Sequence, residues 1–163
     1  MKLVFEVSWE VCNKVGGIHT VITTKAAESV ANYGDSYIAI GPDLGQEGSE
    51  FIESVDEFFE KIAPNLEHAN IPCRFGFWNI PGKPRVILVG GFKERFNIER
   101  LLHAYWEEFG VDSYEGSWDY VEPILFSTTC GEVIEHIVKA TSSEEHQPVA
   151  HFHEWMSGAG VLY

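Results

Sequence analysis

Two short stretches of this 163-residue chain carry residue types that could do chemistry. Lys14-Val15-Gly16-Gly17 falls between an apolar run, Leu3 to Val7, and a helical pattern that begins at Ile18. In open α/β sheets ligands bind beyond the carboxyl ends of strands, where such a turn lies. Glycines lack the Cβ atoms that hold a ligand off the backbone. The helix N-terminus behind them offers N–H groups and a partial positive charge, and Lys14 adds a full one, a combination suited to a phosphate. A double glycine also makes a plain tight turn, and the residues alone leave both readings open. The run is neither a G-x-G-x-x-G fingerprint nor a G-x-x-x-x-G-K-S/T loop, and no acidic residue closes the second strand, which disfavours an NAD enzyme or an NTPase. The second stretch is His151-Phe152-His153-Glu154-Trp155. On a strand, alternation puts His151 and His153 on one face. A metal is the obvious guess, but two histidines and a neighbouring carboxylate are too few fixed ligands without remote partners. Ser157 stands where a zincin motif needs its second histidine. Core histidines satisfied by hydrogen bonds remain the other reading.

The elements that must position these residues follow from periodicity. Leu3–Val7 reads as a buried strand, and Ile18, Val21, Ile22, Ala26 and Val30 recur at helical spacing up to a stop at Gly34. Ser36–Ile40 is a second strand, ended by Gly41-Pro42-Asp43. Strand, glycine turn, helix, strand is a βαβ unit, so the fold class is α/β with a parallel sheet. A short helix is predicted over Val55–Leu66. Strands over Ile71–Ile80 and Arg85–Val89 are joined through Pro81-Gly82-Lys83-Pro84, which suggests a hairpin across 71–89. Helices follow over Glu94–Phe109 and Asp119–Ala140, with Pro123 tolerated near the first turn, and then a strand over Pro148–Phe152. Ser157–Tyr163 reads as a helix only just begun, with no length over which to bury an apolar face. The expectation is that the natural chain continues past Tyr163.

Composition narrows the partners. A net charge of −14 repels phosphate backbones and anionic lipid, so nucleic acid and membrane surfaces are disfavoured, while a neutral polysaccharide is not. The apolar fraction of 45% and aromatic fraction of 13% describe a globular domain. Cys12, Cys73 and Cys130 are scattered and odd in number, which reads as free thiols in a reducing compartment. The N-terminus is too short and too soon charged for a signal peptide, and no apolar stretch approaches the roughly 20 residues that span a bilayer. A cytoplasmic location is expected.

Glu6 to Ala26, E-V-S-W-E-V-C-N-K-V-G-G-I-H-T-V-I-T-T-K-A, resembles the opening of the animal and fungal type of glycogen synthase. Ala150 to Trp155, A-H-F-H-E-W, resembles a second segment of that family, and Ser117 to Pro123 is similar to intervening material. His19 departs from the resemblance, standing where an aromatic such as tyrosine is usual. The resemblance implies the N-terminal half of a GT-B fold: one Rossmann-like domain over residues 1–163, mostly parallel, with helices on both faces. It implies transfer of glucose, with retention, from UDP-glucose to the non-reducing end of an α-1,4-glucan, with no metal or other cofactor. By the same resemblance Lys14, Gly16 and Gly17 lie beside the donor's diphosphate and glucose. Glu154 and Trp155 contact sugar, with His153 a weaker candidate. Carboxylates suit hydroxyl groups and a flat aromatic suits a pyranose face. The main catalytic residues and nucleotide recognition are expected in a C-terminal domain beyond Tyr163, so residues 1–163 alone are expected to be inactive. Oligomeric state, a homo-oligomer included, stays open. The competing readings are a stand-alone carbohydrate-binding or scaffold domain, another two-domain glycosyltransferase making sucrose or using a small acceptor, and, remotely, a nicotinamide oxidoreductase.

Overall fold

Three of the strands are apolar along their whole length because both of their faces are covered. β1 (Val4–Val7) and β2 (Tyr37–Pro42) are buried at every position, and β5 (Arg85–Val89) at all but its first. Such uninterrupted burial is the pattern of parallel strands sandwiched between helices. The computed structural model describes residues 2–45, 50–141 and 147–163. It shows one six-stranded sheet in the order β3-β4-β5-β2-β1-β6, where β3 is Phe51–Glu53, β4 is Cys73–Trp78 and β6 is Val149–Phe152. β5, β2, β1 and β6 run parallel, while β3 and β4 are antiparallel additions at one edge.

Helices cover both faces. α1 (Gly17–Tyr33) makes the crossover from β1 to β2 and buries Ile22 against Ala39, Val86, Leu88 and Trp78. α2 (Glu57–His68) and α5 (Trp118–Thr141) pack on the opposite face, where Phe59, Ile62, Leu125, Phe126 and Val133 meet Phe5, Val7, Ile38, Ile40 and Ile87. Gly34, with φ 56°, ends α1, as its place in the sequence predicts.

Several elements refine the expectations. The hairpin over 71–89 is present, yet it is not a separate appendage. Its second strand is β5, a parallel neighbour of β2, and its first strand, with β3, widens the sheet. The single helix expected over Glu94–Phe109 is two, α3 (Phe92–Arg95) and α4 (Ile98–Phe109). Asn97 breaks it by taking an extended ψ of 109° and accepting the Arg100 N–H at 2.9 Å as the cap of α4. Ser157–Tyr163 is also better buried than expected. A short turn of helix, α6 (Trp155–Gly158), and a 3-10 turn lie along α5, with Ala159 and Leu162 packed around Leu102, Tyr105 and Ile124.

Candidate functional site

From β1 the chain crosses by α1 to β2 on one side, whereas β6 lies against β1 on the other. The sheet therefore has its topological switch point between β1 and β6, the place beyond the carboxyl ends of the strands at which open α/β sheets bind ligands. Both motifs sit there. The glycine turn follows β1, and His153-Glu154-Trp155 follows β6, with the His153 N–H donating to the Val7 carbonyl at 3.0 Å.

The turn after β1 is built around a residue that sequence reasoning missed. Glu10 is 3% exposed, and its Oε2 accepts the N–H groups of Gly16 at 2.7 Å and His19 at 3.0 Å. A carboxylate thus already occupies part of the helix N-terminus. The amides of Gly17 and Ile18 find no acceptor among the described residues. A Cβ at Gly16 would lie 3.2 Å from Glu10 Oε1, close enough that the carboxylate would have to give by a few tenths of an ångström. At Gly17 a Cβ would meet nothing within 4 Å, so packing does not explain that glycine. Lys14 is exposed and makes no ion pair among the described residues. In the same loop Cys12 holds a left-handed φ of 53°, a strained state for a side-chain-bearing residue. His19, the departure from the family resemblance, is buried by edge-on packing against Trp78 at 5.6 Å, with Nε2 3.1 Å from Glu50 Oε2.

The end of β6 is also strained. Glu154 has φ 59° and ψ −174°, a region almost confined to glycine that costs on the order of 1–3 kcal/mol and is found mostly at functional sites. Its carboxylate is exposed. Trp155 is 58% exposed, yet its ring stacks on Tyr120 at 6.3 Å with 10° between the planes. Ser113 Oγ lies 2.8 Å from the Tyr120 hydroxyl. The stretch around Ser117–Pro123, for which the sequence suggested no role, thereby supplies the support for Trp155.

A second residue was missed from sequence. Glu6 is 2% exposed and gathers four partners. Lys25 Nζ is 2.5 Å from its Oε1, the Tyr37 hydroxyl donates to its Oε2 at 3.0 Å, His151 Nδ1 is 3.3 Å from Oε1, and His153 Nε2 bonds the same oxygen. Burial alone would raise the Glu6 pKa, but the bonds from His153 and Lys25 outweigh it and hold the carboxyl below its usual range. An ionised carboxylate only accepts, so His153 Nε2 carries the proton of that bond. Burial lowers the His151 pKa, helped by the neighbouring His153 and opposed by Glu6.

Glu6, His151 and His153 place one ligand atom each within 4.8 Å of the others, a spacing that could hold a metal. Lys25 already supplies a cation at Glu6 Oε1, and a metal ion would have to displace it. Elsewhere the cysteines are free. Burial pushes the Cys73 thiol up to about 12 and raises Cys12 and Cys130 as well, so all three are inert thiols at neutral pH.

A mostly parallel sheet covered by helices, with two motif-bearing loops at its switch point, defines a Rossmann-like α/β domain. Comparison with known proteins gives the family. The glycogen synthase family profile matches residues 6–163. Liver glycogen (starch) synthase of Mus musculus is 30% identical over 163 residues, which cover 98% of this chain and 23% of the mouse protein. Isoform 1 of the enzyme from Saccharomyces cerevisiae is 31% identical over 170 residues, 98% of this chain and 24% of the yeast protein. The chain belongs to the glycogen synthase family. It spans about a quarter of the length of these curated relatives. Among the described residues no helix is long and apolar enough to cross a membrane.

Proposed function

We propose that this domain forms one wall of the active site of a cytoplasmic retaining hexosyltransferase that extends an α-1,4-glucan from UDP-glucose. The observation that supports it best is the meeting of two motif loops at the switch point between β1 and β6. In the reaction the bond from glucose C1 to the diphosphate oxygen breaks. The 4-hydroxyl oxygen of the acceptor bonds C1 on the same face, and its proton leaves with UDP. The unpaired amides of Gly17 and Ile18, the positive end of α1 and Lys14 suit the charge that grows on the departing diphosphate. Gly17 leaves room for the donor to approach the backbone. Glu154 receives sugar hydroxyls, Trp155 covers a pyranose face, and His153, its ring held by Glu6, lies at the base of the cleft.

Nucleotide recognition and the remaining cations of the diphosphate clamp belong to a second, C-terminal domain of the same GT-B enzyme. Residues 1–163 alone are then inactive. No metal or other cofactor is required, because Lys25 neutralises Glu6 and the amides with Lys14 serve the diphosphate. The test is steady-state transfer by the full-length protein across UDP-glucose and other nucleotide sugars, with glucan, sucrose-forming and small acceptors. UDP-glucose with glucan should dominate. A preference for fructose or a small acceptor would reassign the reaction, and glucan binding without turnover would favour a scaffold.

A further inference from the structure

Glu10 belongs to neither of the motif segments that suggest ligand contacts, yet it does more to fix the glycine turn than any other side chain near it. It starts from a firm base. Its own N–H donates to Ser8 Oγ at 3.1 Å, its carbonyl accepts the Asn13 N–H at 3.3 Å, and Asn13 Nδ2 donates to the Trp9 carbonyl at 3.1 Å. From there the side chain reaches forward six residues to Gly16 and nine to His19, and one oxygen takes both amides. A carboxylate bonded to two amides at the positive end of a helix is a strong, charge-assisted contact. The strained Cys12, between the two ends of this bridge, shows a loop held against its local preference.

We infer that Glu10 is a positioning residue for donor binding. It takes the Gly16 and His19 amides in the way an anion would, and so presents only the Gly17 and Ile18 amides to the donor's diphosphate. The inference rests on the donor reading above. Two consequences follow from the geometry. The loop is formed before donor arrives, so no donor binding energy is spent on ordering it. Lys14, exposed and with no ion pair among the described residues, remains available to the phosphates.

The positioning role requires one oxygen that accepts both N–H groups, and this sets the experiment. In the full-length protein Glu10→Ala should raise the KM for UDP-glucose about tenfold while leaving the glucan KM within about twofold. Glu10→Gln, whose amide oxygen can still accept both N–H groups, should return the donor KM to within about threefold of wild type. Hydrogen exchange of the peptide spanning residues 10–19, read without substrate, should speed up in Glu10→Ala and not in Glu10→Gln. Should Glu10→Ala fail to fold, Glu10→Asp withdraws the carboxylate by one methylene and should show the same donor-specific rise. An unchanged donor KM in either soluble variant overturns the inference, as does a parallel loss toward donor and glucan. A Glu10→Gln protein as impaired as Glu10→Ala also overturns it. Wild-type protein that does not use UDP-glucose sinks the functional reading instead, and the exchange measurement then still decides whether Glu10 holds the loop.

Discussion

Replacing Gly17 by alanine separates what the fold needs from what a ligand needs. Gly17 is the first residue of α1, its φ is not left-handed, and an added Cβ meets nothing within 4 Å. The folded chain therefore accepts alanine without strain, while the unfolded chain loses freedom and the helix gains propensity. Together these stabilise by about 0.5 kcal/mol. For a domain of this size that is a rise of about 1–2 °C in unfolding temperature. The donor pays the opposite sign, because the methyl group projects into the space that a diphosphate would fill as it nears the free amides. A tenfold increase in the KM for UDP-glucose, about 1.4 kcal/mol, is expected. Calorimetry and donor-dependent kinetics on the same variant provide the assay. A stabilised protein with unchanged donor KM would refute the ligand explanation of this glycine. A destabilised one would refute the packing argument. Gly16→Ala is the contrast: its Cβ would press on Glu10 Oε1, so stability and donor affinity should fall together.

Other expectations are quickly stated. Glu6→Ala removes the anion from a buried cluster and strands Lys25, so a loss of about 3 kcal/mol in a chemical-denaturation measurement is expected. Because the folded Glu6 pKa lies below that of an ordinary glutamate, its contribution is complete above the ordinary value and fades as pH falls through the folded one. Glu6→Gln should therefore flatten the acid limb of the stability curve, and an unchanged limb would remove Glu6 as its cause. Trp155→Ala, at a largely exposed site, should change stability by only about 0.5 kcal/mol yet weaken glucan affinity about fivefold, readable by affinity electrophoresis. Chelator treatment should leave transfer rates intact and added zinc should not raise the unfolding temperature; a zinc-dependent rise would make Glu6, His151 and His153 a metal site.

Much of the architecture was legible because periodicity and glycine stops report local physics. The run Leu3–Val7, the helical spacing from Ile18 to Val30 and the stop at Gly34 each reappear as β1, α1 and its cap. What stayed hidden depends on distant partners. Phe51–Glu53 is too short to declare itself a strand and exists by pairing with β4. Glu6 lies in a strand, and nothing near it in sequence announces that His153, 147 residues away, will share its carboxylate. Glu10 was missed for a related reason. Capping rules look at the residue beside the helix, whereas this carboxylate returns from before the loop. Its available signal was its place in the Glu6 to Ala26 segment that carries the family resemblance, four residues ahead of Lys14. The break in the Glu94–Phe109 helix was readable, since Asn97 is a good cap followed by a fresh apolar period.

The most direct test of the whole account is transfer of labelled glucose from UDP-glucose to a glycogen primer by the full-length protein, with linkage analysis of the product. The account predicts label at non-reducing ends in α-1,4 linkage, lost from wild-type levels in Gly17→Ala at low donor concentration. Donor hydrolysis without chain extension, or no turnover of UDP-glucose at all, would contradict it.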